Sequence, residues 1–415
     1  MKNIFSGNRN MSSKVLMFIL AGLFVLSACK KDETGSAPPA PTIERIRLTD
    51  PATKDSNLTQ TTLGSTIAIL GSNLATARRV IFNGYSLGVN PTYATNNTIV
   101  ITVHDSVPTV ATNPNVKDEI TVVTAGGEVT YKFKILPPRP EVTSISNEFA
   151  KPGETVTLYG RYFFFVDTVR IGAVNVTTGI TTNGTSMTFT IPAGADISSG
   201  DVLVRSKSGI SVASRNTKFY NPARSGLLVN WDDKTPGGNY VNFAWGLDAS
   251  KRVGTSLGFT PISGNYAVIE QNVPGNYGWN NDKVIHMNNS DAAVNGGVIW
   301  PASSTNFGAS TPLANIDLKF EVSSLMPVGE LQAQAWQNDH TASVNLKNFV
   351  MSSDGKWYTV TINLGNLAKG TSKLATYGDL TKINEFRLLF QNSTAADIPA
   401  KLAVDNIRIT NNVRQ

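Results

Sequence analysis

The chain contains the stretch LGSTIAILGSNL at residues 63–74 and a second version of the same pattern, PGETVTLYGRYF, at residues 152–163. In both copies two glycines enclose six residues, within which apolar side chains alternate with small or polar ones. An alternation of period two predicts a β-strand with one buried face, and the glycines suit crowded turns at its ends. Because the pattern occurs twice, the sequence predicts two tandem domains of one kind.

Each copy continues with the signals of a small β-sandwich. Arg79–Phe82 runs into an Asn-Gly pair, which is typical of a tight hairpin turn, and Thr168–Ile171 runs into a glycine. A sandwich of about 80–90 residues needs all of these strands to bury its core. We therefore predict immunoglobulin-like domains at residues 41–137 and 138–221, and we expect no chemical site in either of them.

Residues 222–415 have a different character, with all six tryptophans of the chain and long loops rich in Gly, Asn and Ser. The predicted strands of this region are Leu227–Trp231, Leu318–Val322, Leu331–Trp336, Trp357–Leu364, Glu385–Phe390 and Leu402–Ile409. No clear helix is visible, so a larger jelly-roll-type sandwich is expected. The predicted fold is thus all-β, with two tandem Ig-like sandwiches followed by a larger jelly-roll-type sandwich.

One predicted strand, Leu331–Gln337, indicates a binding surface. Its alternation places Leu331, Ala333 and Ala335 on one face. The opposite face then carries Gln332, Gln334 and Trp336. A buried face would need partners for two amides, whereas an open face would offer an aromatic platform beside amide donors and acceptors. Such a surface suits a sugar, whose apolar ring face stacks on the indole while its hydroxyls bond to the amides.

Other aromatic side chains of the C-terminal region are candidates for the same site. Tyr277 and Trp279 lie in a Gly/Asn-rich loop that cannot bury them alone, and loop aromatics often carry function. Trp300, which ends a Gly-Gly-Val-Ile-Trp run, and Trp245, on a Gly/Asn-rich segment, fit a core role and a binding role equally well.

The repeated Gly-x-x-Ile/Val-x-Ile/Leu-x-Gly core, with a Thr-x-x-Gly-Gly-like stretch at Thr124–Gly127, resembles the IPT/TIG family of Ig-like domains. The C-terminal region, with Leu-Val-Asn-Trp-Asp-Asp-Lys, Leu-Gln-Ala-Gln-Ala-Trp, Trp-Tyr-Thr-Val-Thr-Ile-Asn-Leu and Val-Asp-Asn-Ile-Arg-Ile, resembles the glycan-binding domain of Bacteroidetes surface glycan-binding proteins of the SGBP-B type. The resemblance implies spacer domains followed by a domain that captures xyloglucan or another plant β-glucan for a polysaccharide utilisation system. It also implies a SusD-like protein and a TonB-dependent transporter as partners.

The N-terminus resembles a bacterial lipoprotein signal. Basic residues precede the apolar run Val15–Leu26, which is too short for a comfortable membrane span, and the chain's only cysteine, Cys29, follows at the expected cleavage site. We expect residues 1–28 to be removed and Cys29 to be lipidated, with residues 29–40 as a flexible linker. A Lys-Asp-Glu run after the cysteine resembles a surface-export signal. It favours the outer face of the outer membrane, although its displacement by one residue leaves a periplasmic orientation open.

Composition excludes several function classes. Half of the formal net charge of +6 belongs to the first 28 residues, and no basic cluster is interleaved with aromatics, so no nucleic acid partner is expected. The three histidines lie too far apart in sequence for a zinc motif, and no nucleophile elbow or phosphate loop is present. We therefore predict that the protein is not an enzyme. A glycoside hydrolase would require two facing carboxylates, which sequence alone cannot demonstrate.

Two alternatives stay open. An adhesion or scaffold protein would use the same aromatic face to bind a protein partner. Similar jelly-roll modules carry a structural calcium ion, for which Asp232, Asp233 and Asp405 are the candidate ligands. Capping of turns by these aspartates is the favoured interpretation, so no cofactor is predicted.

Overall fold

The structure, a computed structural model, describes residues 37–198, 202–211, 219–221, 225–232, 253–276, 283–288, 300, 307–382 and 385–412. Within these ranges the regular structure is nearly all β-strand, and the one α-helix described, α1, is the short segment Tyr377–Thr381. The predicted all-β class is therefore confirmed. The chain divides into two compact units, residues 1–107 with 117–134 and residues 108–116 with 135–415.

The first unit is a two-sheet sandwich. Its strands are β1 (Thr42–Leu48), β2 (Gln60–Thr62), β3 (Thr66–Ser72), β4 (Arg79–Phe82), β5 (Tyr85–Gly88), β6 (Thr98–Thr102), β7 (Glu119–Thr124) and β8 (Gly127–Lys132). One sheet has the order β1-β3-β6 and the other β5-β4-β7-β8. The Asn83-Gly84 turn joins β4 to β5 with both residues at positive φ, as the hairpin prediction requires. Ile67, Ile69 and Val80 are fully buried, so the predicted alternation marks the core.

The second unit begins with another Ig-like sandwich. After β9 (Lys134–Leu136), its strands are β10 (Glu141–Ile145), β11 (Thr155–Phe163), β12 (Val166–Ile171), β13 (Val174–Val176), β14 (Thr181–Thr182), β15 (Gly184–Thr190), β16 (Val202–Ser206) and β17 (Gly209–Ile210). The sheets have the orders β10-β11-β15-β14 and β13-β12-β16-β17. They enclose a separate hydrophobic core that includes Leu158, Ile171 and Phe189.

The second glycine of the repeated motif is required by a bulge at the start of each sandwich. The first strand of each copy shifts register against the motif strand, β1 against β3 and β10 against β11. At the shift, a Cβ on Gly71 would lie 1.8 Å from the Thr42 carbonyl oxygen, and one on Gly160 would lie 1.9 Å from the Glu141 carbonyl oxygen. Only glycine permits this backbone approach, which explains why both copies keep it.

The C-terminal domain is a larger sandwich with its own core. Its strands are β18 (Ser225–Val229), β19 (Val253–Gly254), β20 (Tyr266–Val273), β21 (Lys283–Asn288), β22 (Ile316–Ser324), β23 (Leu331–Gln337), β24 (His340–Asn345), β25 (Trp357–Asn363), β26 (Ala368–Lys369), β27 (Ser372–Lys373), β28 (Glu385–Asn392) and β29 (Ile398–Asn411). We call β19-β20-β29-β22-β25, with β18 paired to β29, the back sheet. The front sheet has the order β21-β28-β23-β24-β26-β27.

All six strands predicted for the C-terminal region are present, each within a few residues of the expected bounds. The structure adds strands that the sequence did not reveal, of which β20 and β24 are the most consequential. Alternation along β24 is weak because its residues are mostly small and polar. The large core of this domain, which includes Leu318, Phe320 and Leu388, fills the space between the front and back sheets.

Candidate functional site

The strand β23 has the two faces that its sequence predicted. Leu331, Ala333 and Ala335 are fully buried in the main core between the sheets. Gln332 and Gln334 alternate with them on the outer face of the front sheet and are partly exposed. This face does not contact the back sheet, so it is the surface of the domain on which polar side chains from neighbouring strands can converge.

Three strands supply this outer face in three cross-strand rows. In the first row Arg387 of β28 lies opposite Trp336 of β23, which lies opposite Thr341 of β24. The remaining rows, in the same strand order, are Leu389, Gln334 and Ser343, then Gln391, Gln332 and Asn345. We call these nine positions the polar grid. Strand geometry gives it about 10 Å across and about 13 Å along the strands, which suits a short stretch of an extended chain.

The polar grid offers hydrogen-bonding groups of both kinds and no carboxylate. The Gln334 amide donates to the Ser343 hydroxyl at 3.0 Å. That bond fixes the orientation of both groups in the central row. Amides and hydroxyls act as donors and acceptors, and the Arg387 guanidinium acts as a donor only. A ligand rich in hydroxyl groups fits this set, because each hydroxyl can accept from one neighbour and donate to another.

Ion pairs lie beyond both ends of the grid. Past the β23–β24 turn, Lys369 donates to Asp339 at 2.9 Å, and this hydrogen bond lowers the pKa of the Asp339 carboxyl. At the opposite end Lys347 donates to Glu330 at 2.5 Å and lowers the pKa of that carboxyl in the same way. Because each charge here has a partner of opposite sign, the surroundings of the grid favour a neutral ligand over an ionic one.

The expectation of an open indole at Trp336 needs correction. The Trp336 side chain is only 7% exposed, and it packs against Leu389. The Arg387 guanidinium lies over the indole, 4.2 Å from the ring centroid. Burial of the large indole surface under the guanidinium stabilises the folded protein more than exposure of the indole to water would. In this arrangement Trp336 supports Arg387 from below, and a sugar would reach the indole only after its cover moved.

Trp300 is also corrected, since it belongs to the core. It is 2% exposed and makes an edge-on contact with Phe386, with ring centroids 5.4 Å apart. Phe386 itself is fully buried between the sheets. Of the two roles that the sequence allowed for Trp300, the structure therefore gives it packing, and its ring is not available to a ligand on the outer face.

The remaining predicted site residues lie outside the described part of the chain. These are Trp245, Tyr277, Trp279, Asp233 and the lipidation residue Cys29, together with residues 1–28 of the predicted signal peptide. Their roles stay predictions. Among helices in the described ranges, none has both the length and the apolar character needed to cross a membrane.

Sequence reasoning missed most of the polar grid. Arg387 could have been predicted from the alternation of β28, because Phe386 and Leu388 point to the core and Arg387 therefore points outward. Thr341, Ser343 and Asn345 could not have been predicted, because β24 has little periodicity of its own. Only its pairing with β23 shows which of its residues share a face with Gln332 and Gln334.

Of the three candidate calcium ligands, Asp232 and Asp405 belong to the described part of the chain and Asp233 lies outside it. One Asp232 oxygen accepts from the Asn265 backbone amide at 2.9 Å and the other from the Ser263 hydroxyl at 3.0 Å, so this carboxylate caps the 263–265 turn. Asp405 is buried, and burial raises its pKa to about 9. In the described ranges no group of three or more Asp, Glu, His or Cys is placed to hold a metal ion.

One described carboxyl, that of Glu321, has a pKa in the range of a general acid, but it lies far from the polar grid in the fold. Burial raises the pKa of Glu321 to about 7, and Arg408 offsets part of that rise. This value would suit a general acid, but Glu321 is fully buried on the other side of the back sheet. Both of its oxygens accept from Arg408, at 2.7 and 2.9 Å. Its raised pKa therefore reflects burial in a structural cluster of charges and not a catalytic position.

Comparisons with known proteins agree with this architecture. Residues 220–411 match the family described as surface glycan-binding protein B xyloglucan binding domain, and residues 140–220 match the IPT/TIG domain. The chain is similar to the crystal structure of a surface glycan-binding protein B from Prevotella bryantii, with a TM-score of 0.54 and 23% identity, covering 91% of this chain and 100% of that one. At this identity the likeness shows a shared fold.

Two further relatives are similar to the chain in structure or in part of the sequence. A surface glycan-binding protein B from a complex xyloglucan utilization locus in Bacteroides uniformis has a TM-score of 0.45 and 19% identity, covering 90% of this chain and 100% of that one. An IPT/TIG domain-containing protein of Bacteroides ovatus is 33% identical over 156 residues, 36% of this chain and 31% of that protein. The chain thus spans about a third of the curated relative's length. The C-terminal domain thus matches the family of surface glycan-binding protein B xyloglucan binding domains, and the domain before it matches the IPT/TIG family.

Proposed function

We propose that the protein captures a neutral plant β-glucan of the xyloglucan class on the polar grid of its C-terminal domain. The observation that carries this proposal is the convergence of Gln332, Gln334, Ser343 and Arg387 on one outer sheet face. The match of this domain to a family of xyloglucan-binding domains supports the ligand class.

The grid would bind the ligand mainly through hydrogen bonds to its hydroxyl groups and less through stacking on its sugar rings. Arg387 and the two glutamines supply the hydrogen bonds, and Trp336 holds Arg387 in place through its cation–π contact. A neutral hydrogen bond contributes about 1 kcal/mol, so about four of them correspond to a weak affinity, with a Kd of about 1 mM. Affinity should rise with oligosaccharide length until the grid is filled.

Affinity gel electrophoresis tests the proposal directly. The soluble chain, residues 30–415, would be run through gels that contain xyloglucan, mixed-linkage β-glucan, galactomannan or starch. We expect retardation by a β-glucan and its loss in the Gln334→Ala variant. Gln271→Ala, which changes a glutamine of the back-sheet strand β20, is the matched control and should behave like the wild type. Equal mobility in all gels would contradict the proposal and favour a protein partner for this face.

The proposed activity is binding without cleavage. The polar grid carries no carboxylate, whereas glycoside hydrolysis uses a pair of them on either side of the scissile bond. Incubation of each retarding glycan with the protein should release no oligosaccharides or reducing ends. Product formation that persists through purification would overturn this part of the proposal.

We further propose that Cys29 carries the lipid that anchors the protein in the outer membrane, facing the exterior. The apolar run Val15–Leu26 before this cysteine supports the proposal. Labelled palmitate should enter the wild type and not the Cys29→Ala variant, and external protease should degrade the anchored protein on intact cells. Protection from external protease would indicate the periplasmic side. A SusD-like protein and a TonB-dependent transporter are the proposed partners, to be sought by co-purification.

A further inference from the structure

The back sheet has a polar outer face that is nevertheless buried. Along β22 the apolar residues Leu318 and Phe320 enter the main core, while Lys319 and Glu321 point to the other side. Such alternation normally marks a sheet with one solvated face. Here every residue of β22 is buried, and the preceding Ig-like domain within the same compact unit covers this face at Lys319 and Glu321.

Backbone groups join the two domains first. The loop after β10 brings Ser146 to the back sheet, where its carbonyl accepts from the Thr359 backbone amide at 2.8 Å. The Glu148 backbone amide then donates to the Thr359 hydroxyl at 2.9 Å, and this hydroxyl donates to Glu321 at 3.0 Å. These bonds cross from the Ig-like domain to the C-terminal domain and fix the position of Glu148.

The Glu148 carboxylate completes a buried set of charges. It accepts from Arg408 at 2.8 Å and from Lys319, while Arg408 also donates to both oxygens of Glu321. Exposed fractions are 5% for Glu148, 3% for Lys319 and zero for Glu321 and Arg408. Burial raises the pKa of Glu148, but Lys319 and Arg408 outweigh it, so the pKa lies below its ordinary value. The carboxylate of one domain therefore balances two cations of the other.

Aromatic rings close the same contact. Phe149 and Tyr220 of the Ig-like domain stack with centroids 4.4 Å apart. The Arg408 guanidinium lies 5.1 Å from the Phe149 centroid and 5.5 Å from that of Tyr220. Separation of the domains would leave Arg408 and Lys319 without Glu148 and would expose these rings. Removal of one partner from a buried ion pair is strongly destabilising because the other charge stays uncompensated.

We propose that the second Ig-like domain and the C-terminal domain form one structural module, so that the Ig-like domain is not a spacer, and that Glu148 joins them so that the two domains unfold as one cooperative unit. The joint then holds the polar grid at a fixed orientation relative to this Ig-like domain. The inference is independent of the ligand, so a negative result in the glycan-binding assay would leave it standing.

The distribution of tryptophan gives a selective test. All six tryptophans lie in the C-terminal region, so their emission in the full soluble chain reports unfolding of that domain alone. Ile171→Ala removes a fully buried side chain from the core of the second Ig-like domain, and Ile69→Ala does the same in the first unit. Together they separate cooperative unfolding from independent unfolding.

We expect Ile171→Ala to lower the melting temperature seen by tryptophan emission by about 5–15 °C. Circular dichroism should show the same shift, and Ile69→Ala should leave the tryptophan transition unchanged. A tryptophan transition that Ile171→Ala does not move, with an earlier transition in circular dichroism, would show that the Ig-like domain unfolds independently and would overturn the proposal.

A second pair of variants tests the charged contact itself. Glu148→Gln keeps the side-chain shape but leaves two buried cations with one carboxylate, and it should also lower the tryptophan transition. Glu141→Gln changes a carboxylate of the same domain whose ion pair with Arg161 is largely exposed, and it should have little effect. Equal melting temperatures for Glu148→Gln and Glu141→Gln would refute the role given to Glu148.

Discussion

Replacement of Asp405 by asparagine should stabilise the protein, by an amount that grows with pH. Asp405 is 1% exposed, and burial raises its pKa to about 9, with the carboxylates of Glu321 and Asp232 adding to the rise. The Asn406 backbone amide, which donates to Asp405 at 2.7 Å, and the Arg408 guanidinium act in the opposite direction. At neutral pH the folded protein therefore holds this carboxyl as the neutral acid.

The magnitude follows from proton linkage. The unfolded chain releases the Asp405 proton near pH 4, whereas the folded protein keeps it to about pH 9. Stability from this group is thus complete below about pH 4 and is lost as the pH rises to about 9. At pH 7, about three units above the unfolded pKa, uptake of the proton costs about 4 kcal/mol. Asparagine has no such cost and keeps the acceptor for Asn406.

Thermal unfolding of wild type and Asp405→Asn between pH 4 and 9, followed by tryptophan emission, measures this difference. The two proteins should melt together near pH 4, and the variant should gain about 3–5 °C per pH unit above that. Asp397→Asn, at an exposed position before the same strand, is the control and should follow the wild type. A difference that stays constant with pH, or a variant less stable at every pH, would refute the assignment of a neutral Asp405.

Three further predictions rest on other parts of the molecule. Gly71→Ala should destabilise the first unit by about 3 kcal/mol in unfolding followed by circular dichroism, because the alanine Cβ would meet the Thr42 carbonyl. Gly88→Ala, at a position with open space around it, should not destabilise this unit. Arg387→Ala should weaken glycan binding about 10-fold or more in calorimetric titration, whereas the control Arg170→Ala, at an exposed position, should bind like the wild type. Equal affinities of Arg387→Ala and the wild type would contradict the role of Arg387. Treatment with EDTA should leave the melting temperature unchanged. Removal of a structural ion present at a concentration of 100 times its Kd would instead lower the free energy of unfolding by about 2.7 kcal/mol.

Strands whose alternation reports a single buried face could be predicted from sequence. The motif strands β3 and β11 and the central strand β23 carry this pattern, and the structure places their apolar residues in cores as expected. The role of the repeated glycines was less accessible. Their positions suggested turns, but Gly71 and Gly160 instead admit a neighbouring carbonyl at a bulge, a contact between residues about 20–30 positions apart that local reasoning cannot supply.

The candidate site was predictable only along one strand. Gln332 and Gln334 followed from the alternation of β23, but their neighbours depend on pairing with β24 and β28, which the sequence does not specify. Alternation also fixed the face of Trp336 without fixing its exposure. Its cover by Arg387 comes from the adjacent strand, and a side chain's face and its accessibility are separate properties.

The same distinction has its largest consequence on the back sheet. The sequence of β22, IDLKFEVSS, reads as a strand with one face in water, and nothing local in it distinguishes a solvated charge from a buried one. The decisive residue, Glu148, is 171 positions from Lys319 and belongs to another domain. A lone Ig-like domain would expose this glutamate, and a lone C-terminal domain would leave Arg408 and Lys319 with only Glu321. Each domain therefore carries charges that make physical sense only in the presence of the other, which is why we treat the two domains as one structural module.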